Sequence, residues 1–274
     1  MEVTLLGTGD STGTPMPRCT CETCELARAT GIERSRFSVH IENPVDDAAL
    51  LIDASPDFRT QFLTHDVSLP DAMIITHIHF DHLDGLGNAY RLVRELPVHA
   101  GSEVDPQTGE SVAETIRRRY EYLNAITVHP LEPFTTRTVC GLEVELVPVD
   151  HPPLACYGVV IHDPHTGGRL AITGDTSWQI PAQSQSRLSD AELLLIDAIV
   201  PAPFCEDHPA GGMHETADGT YRTFGRKHLT REGAKMMATR LNPDTYRCVH
   251  LSHYYPADEA FEDPMAVDGE RYTV

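Results

Sequence analysis

A layered α/β sandwich, with two packed sheets and helices on the outside, is the fold class this chain of 274 residues predicts. Two observations carry that prediction. The elements run as strands, a polar loop and a helix, a helical insert, further strands, and a helix–strand close, which makes two β-rich halves with helices to cover them. Several of the apolar runs also end directly in His or Asp, as in a layered α/β fold that gathers its reactive groups at strand ends. The length suits one large α/β domain or two small ones, and no Ser/Gly linker divides it, so residues 1–274 read as a single domain.

Met1 to Gly9 reads as a strand running into a Gly-rich turn, and residues 10–15 continue as loop. No G-K-[ST] follows, so the glycines serve to turn the first strand close to the site rather than to cradle phosphate. This start does not have the pattern of a signal peptide, and no apolar run is long enough to span a membrane, so a cytoplasmic protein is expected. Cys19, Cys21 and Cys24 follow, three of the seven cysteines of the chain. C-x-C-x-x-C lets three thiolates wrap one tetrahedral ion, and an odd count without a secretory signal argues against disulfides. The expectation is a Cys-rich loop at 19–24 holding a structural zinc, with His253 as the fourth ligand. Cys140, Cys156, Cys205 and Cys248 are isolated and read as core or half-buried fillers.

The run Leu50-Leu51-Ile52 ends in Asp53, either a strand-end cap or a carboxylate that orients a ligand histidine. Ala72 to Ile75 is apolar and leads into Thr76-His77-Ile78-His79-Phe80-Asp81-His82. His77 and His79 alternate as on an extended strand end, so their rings can converge on one metal, while Asp81 and His82 can reach a second. Imidazole and carboxylate are the ligands of hydrolytic Zn, Mn and Fe sites. A helical insert is expected near 105–124, with its helix at Glu110 to Leu123 and Arg117-Arg118-Arg119 on its exposed face. Leu142 to Val149 reads as a strand ending in Asp150-His151, Arg169 to Thr173 as one ending in Gly174-Asp175, and Thr245 to Val249 as one ending in His250-Leu251-Ser252-His253. Taken alone, His151 or His250 would be an ordinary loop histidine. Before the last strand, Thr230 opens an amphipathic helix running to about Arg240, and His228 stands just ahead of it. His214-Glu215 lies further upstream.

The H-x-H-x-D-H motif and the ordered strand-end ligands resemble the metallo-β-lactamase superfamily, and the resemblance covers nearly the whole chain. It implies an αβ/βα four-layer sandwich. It also implies one metal on His77, His79 and His151, a second on Asp81, His82 and His250, and Asp175 bridging them. Two divalent ions a few ångströms apart lower the pKa of a shared water and neutralise charge on an ester oxygen under attack. C-x-C-x-x-C early and H-x-x-H late is similar to the phosphoribosyl cyclic phosphodiesterase branch. That likeness assigns His250 to the catalytic pair and His253 to the structural zinc. The same branch places a phosphate-contacting His where His228 stands, and the tRNA 3′-processing branch has a comparable Glu and His pair. His228, Asp81 and His214 are the catalytic candidates, and Glu215 is a candidate to orient His228.

These features imply a binuclear metal-dependent phosphodiesterase with two Zn or Mn ions and one structural Zn, acting on a small phosphodiester. The alternatives are a tRNA 3′-endonuclease, a thioester or lactone hydrolase, and a cofactor-biosynthesis accessory protein. The last is suggested by Ala54 to Gln61, a stretch that resembles the pyrroloquinoline quinone accessory family. That family's metal motif is degraded, whereas it is intact here. A net charge of −20, with 41 acidic residues against 21 basic, hints at a halophilic source and disfavours a polynucleotide substrate. The expected partners are the small substrate and at most a second copy of the chain, with no membrane.

Overall fold

The computed structural model describes residues 1–274. The first half runs β1 (Glu2–Gly7), α1 (Glu22–Thr30), β2 (Ser38–Asn43), β3 (Ala48–Ile52), α2 (Phe58–His65), β4 (Ala72–Ile75), α3 (Phe80–Leu83), α4 (Leu86–Ala89), β5 (Leu96–Gly101), α5 (Val112–Arg119) and β6 (Ile126–Leu131). The second continues β7 (Arg137–Val139), β8 (Leu142–Val149), β9 (Cys156–His162), β10 (Arg169–Ile172), α6 (Ala182–Leu188), β11 (Leu193–Asp197) and α7 (Phe204–Asp207). It closes with β12 (Gly212–Met213), β13 (Thr223–Phe224), β14 (His228–Leu229), α8 (Arg231–Leu241), β15 (Thr245–Val249) and β16 (Arg271–Thr273).

Two large sheets result, ordered β16-β1-β2-β3-β4-β5-β6 and β15-β11-β10-β9-β8-β7, with a small third sheet β12-β13-β14. The packing of the two large sheets follows from side-chain alternation on the strands. Leu170, Ile172, Leu193 and Leu195 face the core shared with the first sheet, beside Leu5, Ile52 and Ile74. Their sequence neighbours Ala171, Leu194 and Ile196 face the other way, onto Ala234, Met237 and Leu241 of α8. Strands apolar on both faces need cover on both, and α6 and α8 supply it outside the second sheet as α2 and α5 do outside the first. This is the four-layer sandwich expected from the sequence.

Strand direction decides where the site can form. β3, β4, β5 and β6 are mutually parallel, as are β10, β11 and β15, and β8 shares the direction of β10 because both run antiparallel to β9. The residues after β3, β4, β8, β10, β11 and β15 therefore emerge at the carboxyl ends of the strands, the usual ligand edge of an α/β sheet. The two glycine-rich approaches are sterically forced. A Cβ on Gly7 would sit 2.0 Å from the Arg36 carbonyl oxygen, and one on Gly174, at φ 62°, would lie 2.7 Å from that of Tyr157.

The strands expected at Ala72–Ile75, Leu142–Val149 and Thr245–Val249 are found at those limits. The strand expected at Arg169–Thr173 ends one residue earlier, at Ile172, and two other boundaries differ more. The helix of the insert is only Val112–Arg119, because Ser111 accepts from the Glu114 N–H and Glu114 reaches back to the Ser111 N–H, a capping box that sets the start two residues past Glu110. The Cys segment is a loop only in part. Cys21 is the N-cap of α1, so Cys24 lies on the helix. Cys156, Cys205 and Cys248 are buried and Cys140 half-buried, as read. No helix is long and apolar enough to cross a membrane.

Candidate metal centre

The chain after β4 brings four side chains to one place. His77 follows Thr76 directly, His79 is the N-cap of α3, and Asp81 and His82 lie on that short helix. His77 Nε2 is 2.9 Å from His79 Nδ1, and His79 Nδ1 is 3.3 Å from His151 Nε2 at the end of β8. Asp175, one residue past Gly174 at the end of β10, brings its Oδ2 to 3.6 Å from His77 Nε2. The same Oδ2 is 3.4 Å from His82 Nε2 and 3.4 Å from His250 Nε2. Asp81 Oδ2 completes that second group at 3.6 Å from His82 Nε2 and 3.5 Å from His250 Nε2. One carboxylate oxygen thus belongs to two donor sets, His77/His79/His151 and Asp81/His82/His250.

These residues fit metal ions. Zinc bonds of about 2.0–2.1 Å put tetrahedral ligand atoms roughly 3.3–3.4 Å apart, and the separations here, from 2.9 to 3.6 Å, bracket that value. His82 Nε2 and both ring nitrogens of His250 are buried without a hydrogen-bond partner, a costly state for polar atoms that have no other role. Burial, reinforced by neighbouring imidazoles, pushes His77 well below the usual imidazole range and His151 down to about 3, so both present lone pairs. Burial alone would also depress His82 and His250, but Asp175 and other carboxylates outweigh it: His82 rises well above its usual range, helped by Asp53, and His250 to about 9, helped by Asp81. The carboxylates demand positive charge at that position, and a divalent cation meets the demand.

A second layer of groups orients the rings. Asp53 accepts from His82 Nδ1 at 2.7 Å, from the Thr76 N–H at 2.8 Å and from the Thr76 hydroxyl at 2.8 Å. It therefore orients the His82 ring, the kind of role that competed with capping in the sequence. His151 Nδ1 donates to the Lys227 carbonyl at 3.1 Å, which leaves Nε2 toward the cluster. Asp53 and His250 both adopt left-handed backbone, each at φ 58°. Such positions cost of order 1–3 kcal/mol for a non-glycine residue and mark places where the fold holds a group against its preference.

The left-handed turn at His250 also separates the two late histidines. His250 faces Asp175 and Asp81, while His253 Nδ1 lies 3.6 Å from Cys19 Sγ and 3.4 Å from Cys21 Sγ. Cys24 joins them, and the four ligand atoms lie within 4.8 Å of one another. Leu251 between the histidines pairs with Gly9 and donates to the Thr8 carbonyl, so the first-strand turn braces this segment.

His228 stands at the rim of the centre, 12% exposed, with its ring stacked on His250 at 5.0 Å between centroids and 7° between planes. Its orienting partner is a residue the sequence reading missed. Asp197, at the end of β11, accepts from His228 Nδ1 at 3.1 Å and from the Thr176 and Leu229 N–H groups. The signal was present, since Leu193-Leu194-Leu195-Ile196-Asp197 repeats the apolar-run-then-Asp pattern of Leu50 to Asp53. Glu215 is exposed, and His214 bonds to the Thr223 hydroxyl at 2.8 Å instead of joining the ligand groups.

Two sets of imidazole and carboxylate donors sharing one oxygen, at the carboxyl edge of a two-sheet sandwich, define a centre of the metallo-β-lactamase type. A model of the Beta-lactamase superfamily domain matches residues 49–251, and the chain belongs to that family. A protein of Porphyromonas gingivalis named octanoyltransferase is 30% identical over 269 residues, covering 93% of this chain; the chain spans 47% of that protein's length. Among solved structures, the fold is similar to a diphosphatase of the PhnP family (TM-score 0.76, 23% identity, 99% of this chain and 96% of that one). It is also similar to Zn(2+)-bound PqqB from Methylobacterium extorquens (TM-score 0.77, 19% identity, 100% of both chains). Human tRNase Z, short form, matches with a TM-score of 0.66 at 16% identity over 100% of this chain and 99% of the other.

Proposed function

We propose that the chain is a binuclear metal-dependent hydrolase of small phosphodiesters, with a cyclic phosphoribosyl phosphate as the first substrate to test. The observation that supports this reading most is the sharing of Asp175 Oδ2 by two donor sets, with the imidazole of His228 held at their edge by Asp197. Two divalent ions bound there would lower the pKa of water and neutralise charge on the phosphoryl oxygens. His77, His79, His151 and Asp175 would hold one, and Asp81, His82, His250 and Asp175 the other. Zn and Mn both suit these donors, and the thiolates of Cys19, Cys21 and Cys24 with His253 suit structural Zn.

The protein's own groups do the remaining work. Asp53 and the Lys227 carbonyl fix the tautomers of His82 and His151. Asp197 accepts the Nδ1–H of His228, so that Nε2 is free to carry a proton to the leaving oxygen, and its charge stabilises the imidazolium that makes this transfer. The acidic surface receives a small anion at a cationic centre more readily than a long polyanion.

A second reading rests on the octanoyltransferase name of the Porphyromonas gingivalis relative: the same centre would polarise the carbonyl of an acyl thioester. An accessory role without catalysis, the third reading, leaves the complete ligand sets unexplained. The test is one panel on the metal-loaded protein: a cyclic phosphodiester, a linear aryl phosphodiester, pre-tRNA and an octanoyl thioester. Turnover of the two small diesters, lost in Asp175→Ala, is expected. Turnover of the thioester alone, of pre-tRNA alone, or of nothing overturns the proposal.

A further inference from the structure

Beside the metal centre lies a cluster of rings that belongs to neither hydrophobic core. Phe204 of α7 stacks on Tyr254 with centroids 4.3 Å apart and planes 23° apart. His208 lies 5.1 Å from Phe204 and 4.9 Å from Phe224 of β13, and Phe204 lies 5.9 Å from Phe224. Phe204, His208 and Phe224 are half-buried, and Tyr254 is 46% exposed. Aromatic side chains normally contribute stability by burying their area. Rings that pack mainly on one another and leave area to solvent mark a binding surface.

Two connections tie this cluster to the centre. Phe224 is the register partner of His228 across β13 and β14, so the two side chains project from the same face with Cβ atoms about 4.5–5.5 Å apart. Tyr254 follows His253 in the chain and packs on its ring at 4.2 Å. A molecule whose phosphorus sits at the metal ligands therefore meets these rings with the group attached next to it. Charge is arranged in the same sense. Arg226 and Lys227 precede His228, where an anionic phosphate belongs, whereas exposed Glu206 and Asp207 flank Phe204 and suit a neutral group.

We propose that Phe204, Phe224 and Tyr254 form a stacking subsite for a nucleobase-like planar heterocycle carried by the phosphodiester. The near-parallel Phe204–Tyr254 stack is extended by one more planar ring, and base–aromatic stacking tolerates any base because each has a π face. This inference rests on the phosphodiesterase reading and adds that, among its small diesters, those bearing a base are bound more tightly than base-free ones.

The test compares adenosine 2′,3′-cyclic phosphate with the base-free methyl riboside 2,3-cyclic phosphate, in wild type, Phe204→Leu and Tyr254→Leu. Adenosine and ribose binding are titrated calorimetrically in parallel, which requires no turnover. The base should lower KM roughly tenfold at similar kcat, and each variant should remove most of that advantage while leaving the base-free diester unchanged. Adenosine should bind more tightly than ribose. Phe204→Leu is the variant away from the Cys cluster, and metal content is measured in both, so a structural lesion is recognised. Equal KM values for the two diesters, or variants that raise both alike, overturn the subsite and leave the phosphodiesterase reading standing. Adenosine binding without hydrolysis of either diester keeps the subsite and overturns the reaction.

Discussion

The His228–Asp197 pair, 3.1 Å apart at Nδ1 and Oδ2, carries the acid role in the proposed reaction. An alkoxide of a sugar leaves poorly unless protonated, and general acid assistance is worth on the order of 10²–10⁴-fold. His228→Ala should therefore slow a sugar cyclic diester by that factor, yet slow an activated aryl diester only mildly, with metal content unchanged. Asp197→Asn should reproduce the same selectivity in weaker form. Equal losses on both substrates would point to a positioning role for His228, and loss of metal would make it a ligand. A second comparison tests the two histidines of the His250-Leu251-Ser252-His253 segment separately. His250→Ala should abolish turnover and leave the Cys-bound metal in place, while His253→Ala should release that metal and lower the melting temperature with part of the activity kept. The reverse pattern, read by metal analysis and activity together, would exchange their assignments. The left-handed turn at His250 aims these two residues, three apart, into different clusters.

Elements that end in a reactive side chain were the most legible part of the sequence. β4, β8 and β15 each end in an apolar residue, Ile75, Val149 and Val249, that runs into a His-bearing segment, so their ends could be read directly. β12, β13 and β14 are two residues each, too short for any periodicity, and the surface that holds His228, Phe224 and His214 was therefore invisible before the structure. α1 was missed for a related reason: the thiol motif dominated a stretch whose helix begins at Glu22. Parallel strands β5 and β6 place His99 beside His129, with rings 5.1 Å apart, away from the metal centre. Burial, followed by the neighbouring His129, lowers His99 to about 4 from 6.5. The unfolded chain then binds the proton more readily than the folded one, so this residue's share of stability is complete above pH 6.5 and is lost as pH falls toward 4. His99→Gln should flatten the fall in unfolding free energy between those values relative to wild type. Parallel wild-type and variant curves across that range would show that His99 protonates equally in both states.

At the scale of the whole molecule, the order of elements in two β-rich halves and the order of strand-end ligands made the sandwich legible. The partner of His228 and the ring cluster beside it depend on contacts between distant segments, and no local pattern encodes those. The net charge of −20 raises the cost of bringing the acidic surface together, and cations bound at the two donor sets would offset the carboxylates that are least able to move apart, Asp81 and Asp175. The account depends above all on two separate ligand sets, one shared through Asp175 and one built on thiolates. The most direct test is the number of metal ions per chain in wild type and Cys21→Ser after loading and removal of excess metal. The account predicts about three in wild type and about two in Cys21→Ser, with phosphodiester turnover retained in the latter. A wild-type protein that holds a single ion under those conditions would contradict it.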